Sequence, residues 1–134
     1  MYFVMDATIA AAWALPEENS ELTDSLLTMC QIDGAMVPML FWYEIRHILA
    51  QAERLLRITP ADTVAFLHNL ERLEIKLRDL GDGEAILRLA RVHHLSVYNA
   101  AYLELALREN LPLATLDRAL ALAAVKESLP RIDF

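Results

Sequence analysis

The chain alternates between short apolar runs and longer stretches in which apolar residues recur every three or four positions. The apolar runs predict β-strands at residues 2–5, 35–38, 73–77 and 111–116, with a last edge strand at 131–134. The longer stretches predict helices at residues 8–15, 20–33, 40–56, 59–70, 84–93, 98–109 and 118–126. Strands separated by helices indicate an α/β fold whose central parallel sheet is flanked by helices on both faces.

Residues at the ends of these elements support the assignment. Ser20 and Thr59 are placed to cap helix N-termini, and Gly34 is placed to end a helix. The buried face of the helix at 40–56 is expected to carry a stripe of apolar side chains: Phe41, Ile45, Ile48, Ala52 and Leu55. Because the 134 residues contain no repeats or linkers, we expect a single domain over residues 1–134.

Composition and charge narrow the classes of protein. A net charge of −7 argues against a broad basic face for nucleic acid, although a cation in an acidic pocket would reverse the sign locally. The single Cys30 cannot form an internal disulfide and is expected in the core. The start lacks a signal-peptide pattern, and the uncharged run at 7–16 is too short for a membrane span. We therefore expect a cytoplasmic protein without membrane contact.

Two acids occupy the same kind of position, at the end of an apolar run and the start of a helix. Asp6 follows residues 2–5, and Asp117 follows residues 111–116. Taken singly, each is explained as a helix N-cap. On one parallel sheet, however, both would face the carboxyl edge, where ligands and chemistry gather in open α/β folds.

Two further polar residues lie on predicted buried faces. Glu44 falls three positions after Phe41 and four before Ile48, although burying a lone carboxylate is costly. Asn99 shares a helix face with Tyr102 in the same way. Either these are rim positions, or the side chains are held there for a function.

The candidate site therefore consists of four residues: Asp6, Glu44, Asn99 and Asp117. Carboxylates grouped in a cleft repel one another, and one of them keeps its proton unless a cation lies among them. Hard oxygen ligands suit Mg²⁺ or Mn²⁺. The matching chemistry is hydrolysis of a phosphodiester, in which the metal generates hydroxide and stabilises the phosphoryl oxygens.

Four segments of the chain resemble the PIN-domain family, and specifically the VapC-type toxins of type II toxin–antitoxin systems. They are FVMDAT at residues 3–8, Val37-Pro38 leading to Glu44-Ile45, LSVYNAAYLELA at residues 95–106 and LATLD at residues 113–117. The third and fourth segments are the most specific. The similarity in pattern covers essentially the whole chain.

The resemblance implies a three-layer PIN-like fold and a metal-dependent endoribonuclease that hydrolyses RNA. It implies that Asp6 binds Mg²⁺ or Mn²⁺, and that Glu44 and Asp117 bind the metal or orient the attacking water. It also implies a homodimer and a cognate antitoxin protein, which inhibits the toxin by covering the pocket. Any contact with DNA would come through the antitoxin.

The sequence departs from the family at one position of the site. The tyrosine–alanine–alanine motif normally carries Asp where this chain has Asn99, so cation affinity should fall and water activation should weaken. Three explanations stay open: an introduced inactivating change, a natural loss of activity, or sufficiency of Asn99 with help from Glu84 or Glu104. Glu84 is also explained as a first-turn acid that favours its helix. Thr8 and Thr115 are candidates to hydrogen-bond the pocket carboxylates, with ordinary turn and strand roles equally open.

Other functions are compatible with parts of the sequence. A catalytically silent PIN-like module that binds an antitoxin or another protein is the main alternative, and Asn99 is the feature that favours it. A receiver domain would need a second acid at position 5, which is Met, and a Lys within residues 113–117, which is absent. A haloacid-dehalogenase-type phosphatase would need Asp two positions after Asp6, where Thr8 stands.

Overall fold

The sheet and its helices follow the predicted alternation along the chain. A computed structural model describes residues 2–134. The strands are β1 (Phe3–Met5), β2 (Ala35–Val37), β3 (Ile75–Leu77) and β4 (Leu113–Ala114). The helices are α1 (Ala7–Ala14), α2 (Glu21–Asp33), α3 (Leu40–Arg54), α4 (Pro60–Glu71), α5 (Gly83–His93), α6 (Val97–Glu109) and α7 (Arg118–Lys126), with a 3₁₀ helix at Pro16–Glu18.

All four strands are parallel and lie in the order β3-β2-β1-β4. β1 is central, because Val4 lies opposite Met36 of β2 on one side and opposite Leu113 of β4 on the other. Every residue of β1 is buried, as expected for a strand covered on both faces by helices. The predicted α/β fold with a parallel sheet is confirmed, and the carboxyl ends of its strands share one edge.

The predicted caps explain where several helices begin and end. Ser20 accepts a hydrogen bond from the backbone N–H of Thr23, and Thr59 accepts one from Asp62, each within a reciprocal capping box. Gly34 ends α2 with φ +84°, and a Cβ there would lie 2.4 Å from the backbone oxygen of Glu74. A side chain at position 34 would therefore be excluded both by backbone conformation and by space.

The strands are shorter than predicted, and the last one does not form. Residues 131–134 are not in a strand, so that prediction is wrong. The chain closes α7 with hydrogen bonds from the N–H groups of Ser128 and Leu129, and Pro130 then removes a donor. Ile132 packs against the core instead, so side-chain packing replaces backbone pairing at this end of the chain.

The buried face of α3 differs in part from the predicted stripe. Leu49 is fully buried, whereas Ile48 is half-buried and Leu55 is 70% exposed. Leu55 lies beyond the last helical residue as the C-cap, and Leu56 takes a left-handed conformation with φ +58°. The helix therefore ends two residues before the predicted position, and the apolar stripe cannot continue to Leu55.

The structure also describes the environment of Cys30 and the apolar character of the helices. Cys30 is buried, and burial raises the pKa of its thiol to about 11, which agrees with a core role. Across residues 2–134, none of the helices has both the length and the apolar character required to cross a bilayer.

Candidate functional site

Asp6 is a buried carboxylate held by two hydroxyl groups, one from the first turn of α1 and one from the loop that follows β4. It follows β1, caps α1 and is only 3% exposed. Its Oδ1 accepts hydrogen bonds from the backbone N–H of Thr8, at 3.0 Å, and from the Thr8 hydroxyl. Its Oδ2 accepts a hydrogen bond from the hydroxyl of Thr115, which follows β4. Both sequence candidates for hydroxyl partners thus contact this carboxylate.

Burial dominates the electrostatics of Asp6. Loss of solvent raises the pKa of its carboxyl above the ordinary value near 3.8, and the hydrogen bonds from Thr115 and Thr8 oppose that rise only in part. A carboxylate in this state is stabilised by any cation that reaches it, because the cation replaces the missing solvation.

Asp117 is joined to Asp6 through Thr115. The Thr115 hydroxyl that donates to Asp6 accepts a hydrogen bond from the backbone N–H of Asp117, at 3.0 Å. The carboxylate of Asp117 caps α7 by accepting the N–H of Leu120 at 2.9 Å. Asp6 and Asp117 therefore both cap a helix and both lie at the carboxyl edge of the sheet. The capping role does not exclude a role in a site at that edge.

Glu44 reaches the same region through Tyr102, a residue whose role the sequence did not reveal. The fully buried Tyr102 hydroxyl donates a hydrogen bond of 2.5 Å to Oε1 of Glu44. Burial raises the pKa of Tyr102, and the negative charges of Glu44 and Asp6 add to the rise. Tyr102 therefore stays protonated and lies within electrostatic reach of both acids. The sequence feature that could have indicated this role is a tyrosine one helical turn after Asn99, on the same apolar face.

Asn99 lies in the first turn of α6, three residues before Tyr102. Its side chain is half-buried, and its backbone N–H donates to the hydroxyl of Ser96, the N-cap of α6, at 3.1 Å. Because residues three apart share a helix face, Asn99 lies on the side of α6 from which Tyr102 reaches Glu44.

The two accessory acids, Glu104 and Glu84, differ in burial and in their partners. Glu104 is 5% exposed and forms a two-pronged ion pair with Arg108, with Oε2 2.8 Å from Nε and Oε1 3.2 Å from the second guanidinium nitrogen. Glu84 is exposed in the first turn of α5, where its N–H donates to the capping carboxylate of Asp82. The carboxylate of Glu104 thus has a structural partner, and Glu84 lies in a first turn, where the helix dipole favours an acid.

The oxygen atoms of the candidate residues suit a hard cation, but these residues carry little negative charge for a metal site. Among residues 2–134, no three His, Cys, Asp or Glu side chains are grouped closely enough to hold a metal ion. Of the four candidate residues, Asp6, Glu44 and Asp117 carry carboxylate oxygens, and Asn99 carries a neutral amide oxygen. These are the ligand types that Mg²⁺ and Mn²⁺ prefer. A cation here would therefore be held by fewer charges than four acids would provide.

The fold is an α/β domain whose parallel sheet has Asp6 and Asp117 directly after two neighbouring strands. The family model described as PIN domain matches residues 3–126, and the chain belongs to the PIN-domain family, whose members are generally nucleases.

Comparison with solved structures agrees on the fold. The crystal structure of PAE2754 from Pyrobaculum aerophilum superposes with a TM-score of 0.73 and 23% sequence identity, over 92% of this chain and 84% of that chain. No curated protein matches the chain.

Proposed function

We propose that this chain is a PIN-domain endoribonuclease of the VapC toxin type, weakened or inactivated by Asn99. The observation that carries the proposal is the pair of hydrogen bonds by which Thr115 links Asp6 to Asp117, together with the hydrogen bond from Tyr102 to Glu44 within electrostatic reach of Asp6. Membership of the PIN-domain family supports phosphodiester hydrolysis as the chemistry.

The four candidate side chains would together bind a divalent cation. When bound, Mg²⁺ or Mn²⁺ supplies a water of lowered pKa and positive charge beside the phosphoryl oxygens. Asp6 is the principal ligand, kept in one orientation by Thr8 and Thr115. Asp117, Asn99 and Glu44 complete the oxygen ligands or orient the attacking water, and Tyr102 fixes the carboxylate of Glu44.

Asn99 weakens this site in a defined way. Its amide oxygen can bind a cation, but it lacks the full charge that the family's Asp contributes. Burial disfavours the charged form of Asp6, the form that binds a cation. With Asn at position 99, one negative charge fewer attracts the cation to the site. We therefore expect weak metal binding and little or no cleavage from the chain as it stands.

The toxin role brings protein partners into the proposal. A cognate antitoxin would cover the pocket and supply any DNA contact, and two copies of the chain would form a homodimer. Large apolar side chains stand exposed on α3 and just beyond its end: Tyr43, Leu55 and Leu56. Exposed apolar area of this kind suits a protein interface.

Asn99→Asp tests the nuclease directly. Mn²⁺ binding is followed by calorimetry and cleavage by incubation with a mixed RNA pool, for both the chain and the variant. Asn69→Asp is the matched control, because it adds the same charge at an exposed position of α4. We expect Asn99→Asp alone to raise Mn²⁺ affinity by at least tenfold and to give cuts that disappear with EDTA.

A second candidate is the catalytically silent module that binds an antitoxin or another protein. The observation that favours it is the lack of a three-acid group among residues 2–134. Background Mn²⁺ binding and background cleavage by both chains, together with tight binding of an antitoxin peptide, would establish this function and exclude the nuclease.

A further inference from the structure

The edge of the sheet at β4 is open. β4 is an outermost strand, and its only partner in the sheet is β1. The C=O groups of Pro112 and Ala114 accept the N–H groups of Val4 and Asp6, at 2.9 and 3.2 Å. Because successive residues of a strand point their backbone groups to opposite edges, the N–H and C=O of Leu113 point away from β1. Within residues 2–134, no hydrogen bond reaches these two groups, and an unpaired edge is a template for another strand.

A groove of about 690 Å³ lies beside this open edge. Its walls are β4 with Thr115, the outer face of α7, and the segment formed by residues 128–132 and Phe134. The volume falls within the range of about 300–1,000 Å³ that is usual for ligand sites. In the described part of the chain, no backbone hydrogen bond joins residues 130–134 to β4. The C-terminal segment therefore borders the groove but neither fills it nor pairs with the edge.

The walls of the groove are mostly apolar. Val125 of α7 is 58% exposed and Phe134 is 68% exposed, and both line the groove. Leu113 and Ile132 lie deeper and pack against the core. Apolar side chains left exposed around a groove are typical of a binding surface. An extended strand would place every second side chain against such a wall, because its side chains alternate between two faces.

Positive charge lies beside these apolar walls. Arg131 is the one charged residue that lines the groove. Arg118 lies seven residues before Val125, and therefore on the same face of α7. Across the described residues, no carboxylate forms an ion pair with either arginine. In a chain with a net charge of −7, two unpaired cations beside one groove favour a negatively charged occupant.

We propose that this groove binds an extended acidic peptide segment, which pairs with the open edge of β4 as a fifth strand. The backbone of the segment would pair with the N–H and C=O of Leu113. Its apolar side chains would cover Val125 and Phe134, and a carboxylate would face Arg131. The proposal does not rest on the proposed nuclease function, because none of these contacts needs a metal or RNA.

The open backbone favours a peptide over the two other occupants, RNA and a second copy of this chain. Single-stranded RNA would supply anions for Arg118 and Arg131, but it carries no N–H and C=O groups at the spacing of a strand. A second copy related by two-fold symmetry would contribute the same surface, with the same two unpaired arginines. An acidic peptide satisfies the edge of the sheet, the apolar walls and the charge together.

The first test measures hydrogen exchange at the open edge. The probe is a synthetic hexapeptide that alternates valine and glutamate, added to the full chain without metal or RNA and followed by NMR. We expect exchange at the amide of Leu113 to slow by about tenfold, as for one added hydrogen bond. The amide of Ala114, which faces β1, should not change. No binding at millimolar probe, or binding without slower exchange at Leu113, would overturn the proposal.

Two N-methylated isomers of the probe test strand pairing itself. In an extended peptide, the N–H groups of the valines point to one edge and those of the glutamates to the other. Methyl groups on one set therefore block one edge, while composition and charge stay the same in both isomers. One isomer should keep the affinity of the probe, and the other should lose about tenfold. Equal binding by the two isomers would exclude strand pairing.

Leu122 provides a matched control for Val125. Both residues lie on α7 with 54% and 58% of their surface exposed, but only Val125 lines the groove. Val125→Glu should weaken binding of the acidic probe by about tenfold, because it places a like charge in the wall. Leu122→Glu should leave the affinity unchanged. Equal effects of the two substitutions would place the probe elsewhere on the surface and overturn the proposal.

Arg91 provides the control for the positive charge. It is an exposed arginine of α5 that does not line the groove. Arg131→Gln should weaken binding by about threefold, as for an exposed ion pair, and Arg91→Gln should not. A hexapeptide that alternates valine and lysine should bind more weakly than the glutamate probe. Equal binding of the two hexapeptides would contradict an acidic partner.

Three outcomes separate this inference from its alternatives and from the nuclease. Tighter binding in the groove by an all-uridine 2′-O-methyl hexanucleotide than by the probe would assign the groove to RNA. Slow exchange at Leu113 in the free chain, appearing together with dimers in sedimentation, would assign it to a second copy. Either result would overturn the proposal. Intact probe binding without RNA cleavage by Asn99→Asp would exclude the nuclease and leave this docking site standing.

Discussion

The hydroxyl of Thr115 donates a hydrogen bond to the carboxylate of Asp6, across 109 positions of sequence. This contact joins the ends of the central strand β1 and its neighbour β4. The same hydroxyl accepts the backbone N–H of Asp117, so one threonine sets the relative positions of two acids. The geometry of the candidate site thus depends on a residue with no charge of its own.

Thr115→Val should destabilise the fold. The substitution keeps the shape of the side chain but leaves Oδ2 of the buried Asp6 without this donor, and an unsatisfied buried group costs about 1–3 kcal/mol. Urea unfolding at pH 7 measures the loss. Thr28→Val on the exposed surface of α2 is the control and should change the free energy of unfolding by less than about 0.5 kcal/mol. Equal effects of the two substitutions would remove the special role of Thr115.

Asp6→Asn should gain stability relative to the parent chain as the pH rises, in the metal-free protein. Burial raises the pKa of Asp6 in the folded state, so the stability that this group contributes is fully present below its unfolded pKa. That contribution is lost as the pH rises through the folded pKa. The variant should therefore gain on the parent chain as the pH rises from about 4 to 7. Urea unfolding across that range measures the gap, and a gap independent of pH would contradict the assignment.

Tyr102→Phe should destabilise the fold and loosen Glu44. The hydroxyl donates to Glu44, and the carboxylate of Glu44 loses this donor in the variant. We expect a loss of about 1–3 kcal/mol in unfolding free energy, measured in urea. Tyr98→Phe, on the same helix but 63% exposed, removes an identical hydroxyl and should have no measurable effect. In the Asn99→Asp background, only Tyr102→Phe should weaken Mn²⁺ binding.

Glu104→Gln should lower the stability of the fold without lowering its affinity for Mn²⁺, because Glu104 is assigned a structural role. The change breaks a two-pronged pair with Arg108 at a position that is nearly inaccessible to solvent, and a loss of about 1 kcal/mol is expected. Mn²⁺ affinity in the Asn99→Asp background should stay the same, as it should for Glu84→Gln at its exposed position. A fall in Mn²⁺ affinity with Glu104→Gln alone would make Glu104 an accessory ligand after all.

The sequence by itself determined the order of the seven α-helices and the four strands of the sheet, and the places of Asp6 and Asp117 at strand ends. Strand and helix periodicity, the capping boxes at Ser20 and Thr59, and Gly34 at φ +84° all arise from interactions within a few residues. Asp6 and Asp117 belong to the same class, because parallel strands bring their carboxyl ends to one edge wherever they lie in the sequence.

Only the tertiary structure decided which side chains meet at that edge. Thr115 reaches Asp6, and Tyr102 reaches Glu44, through contacts between elements that are distant in sequence. The same holds for residues 131–134, where packing of Ile132 against the core takes the place of the predicted strand. Hydrophobic patterns place a side chain on a face, but a hydrogen bond depends on the directions of two packed side chains. Those directions follow from the packing of the whole chain.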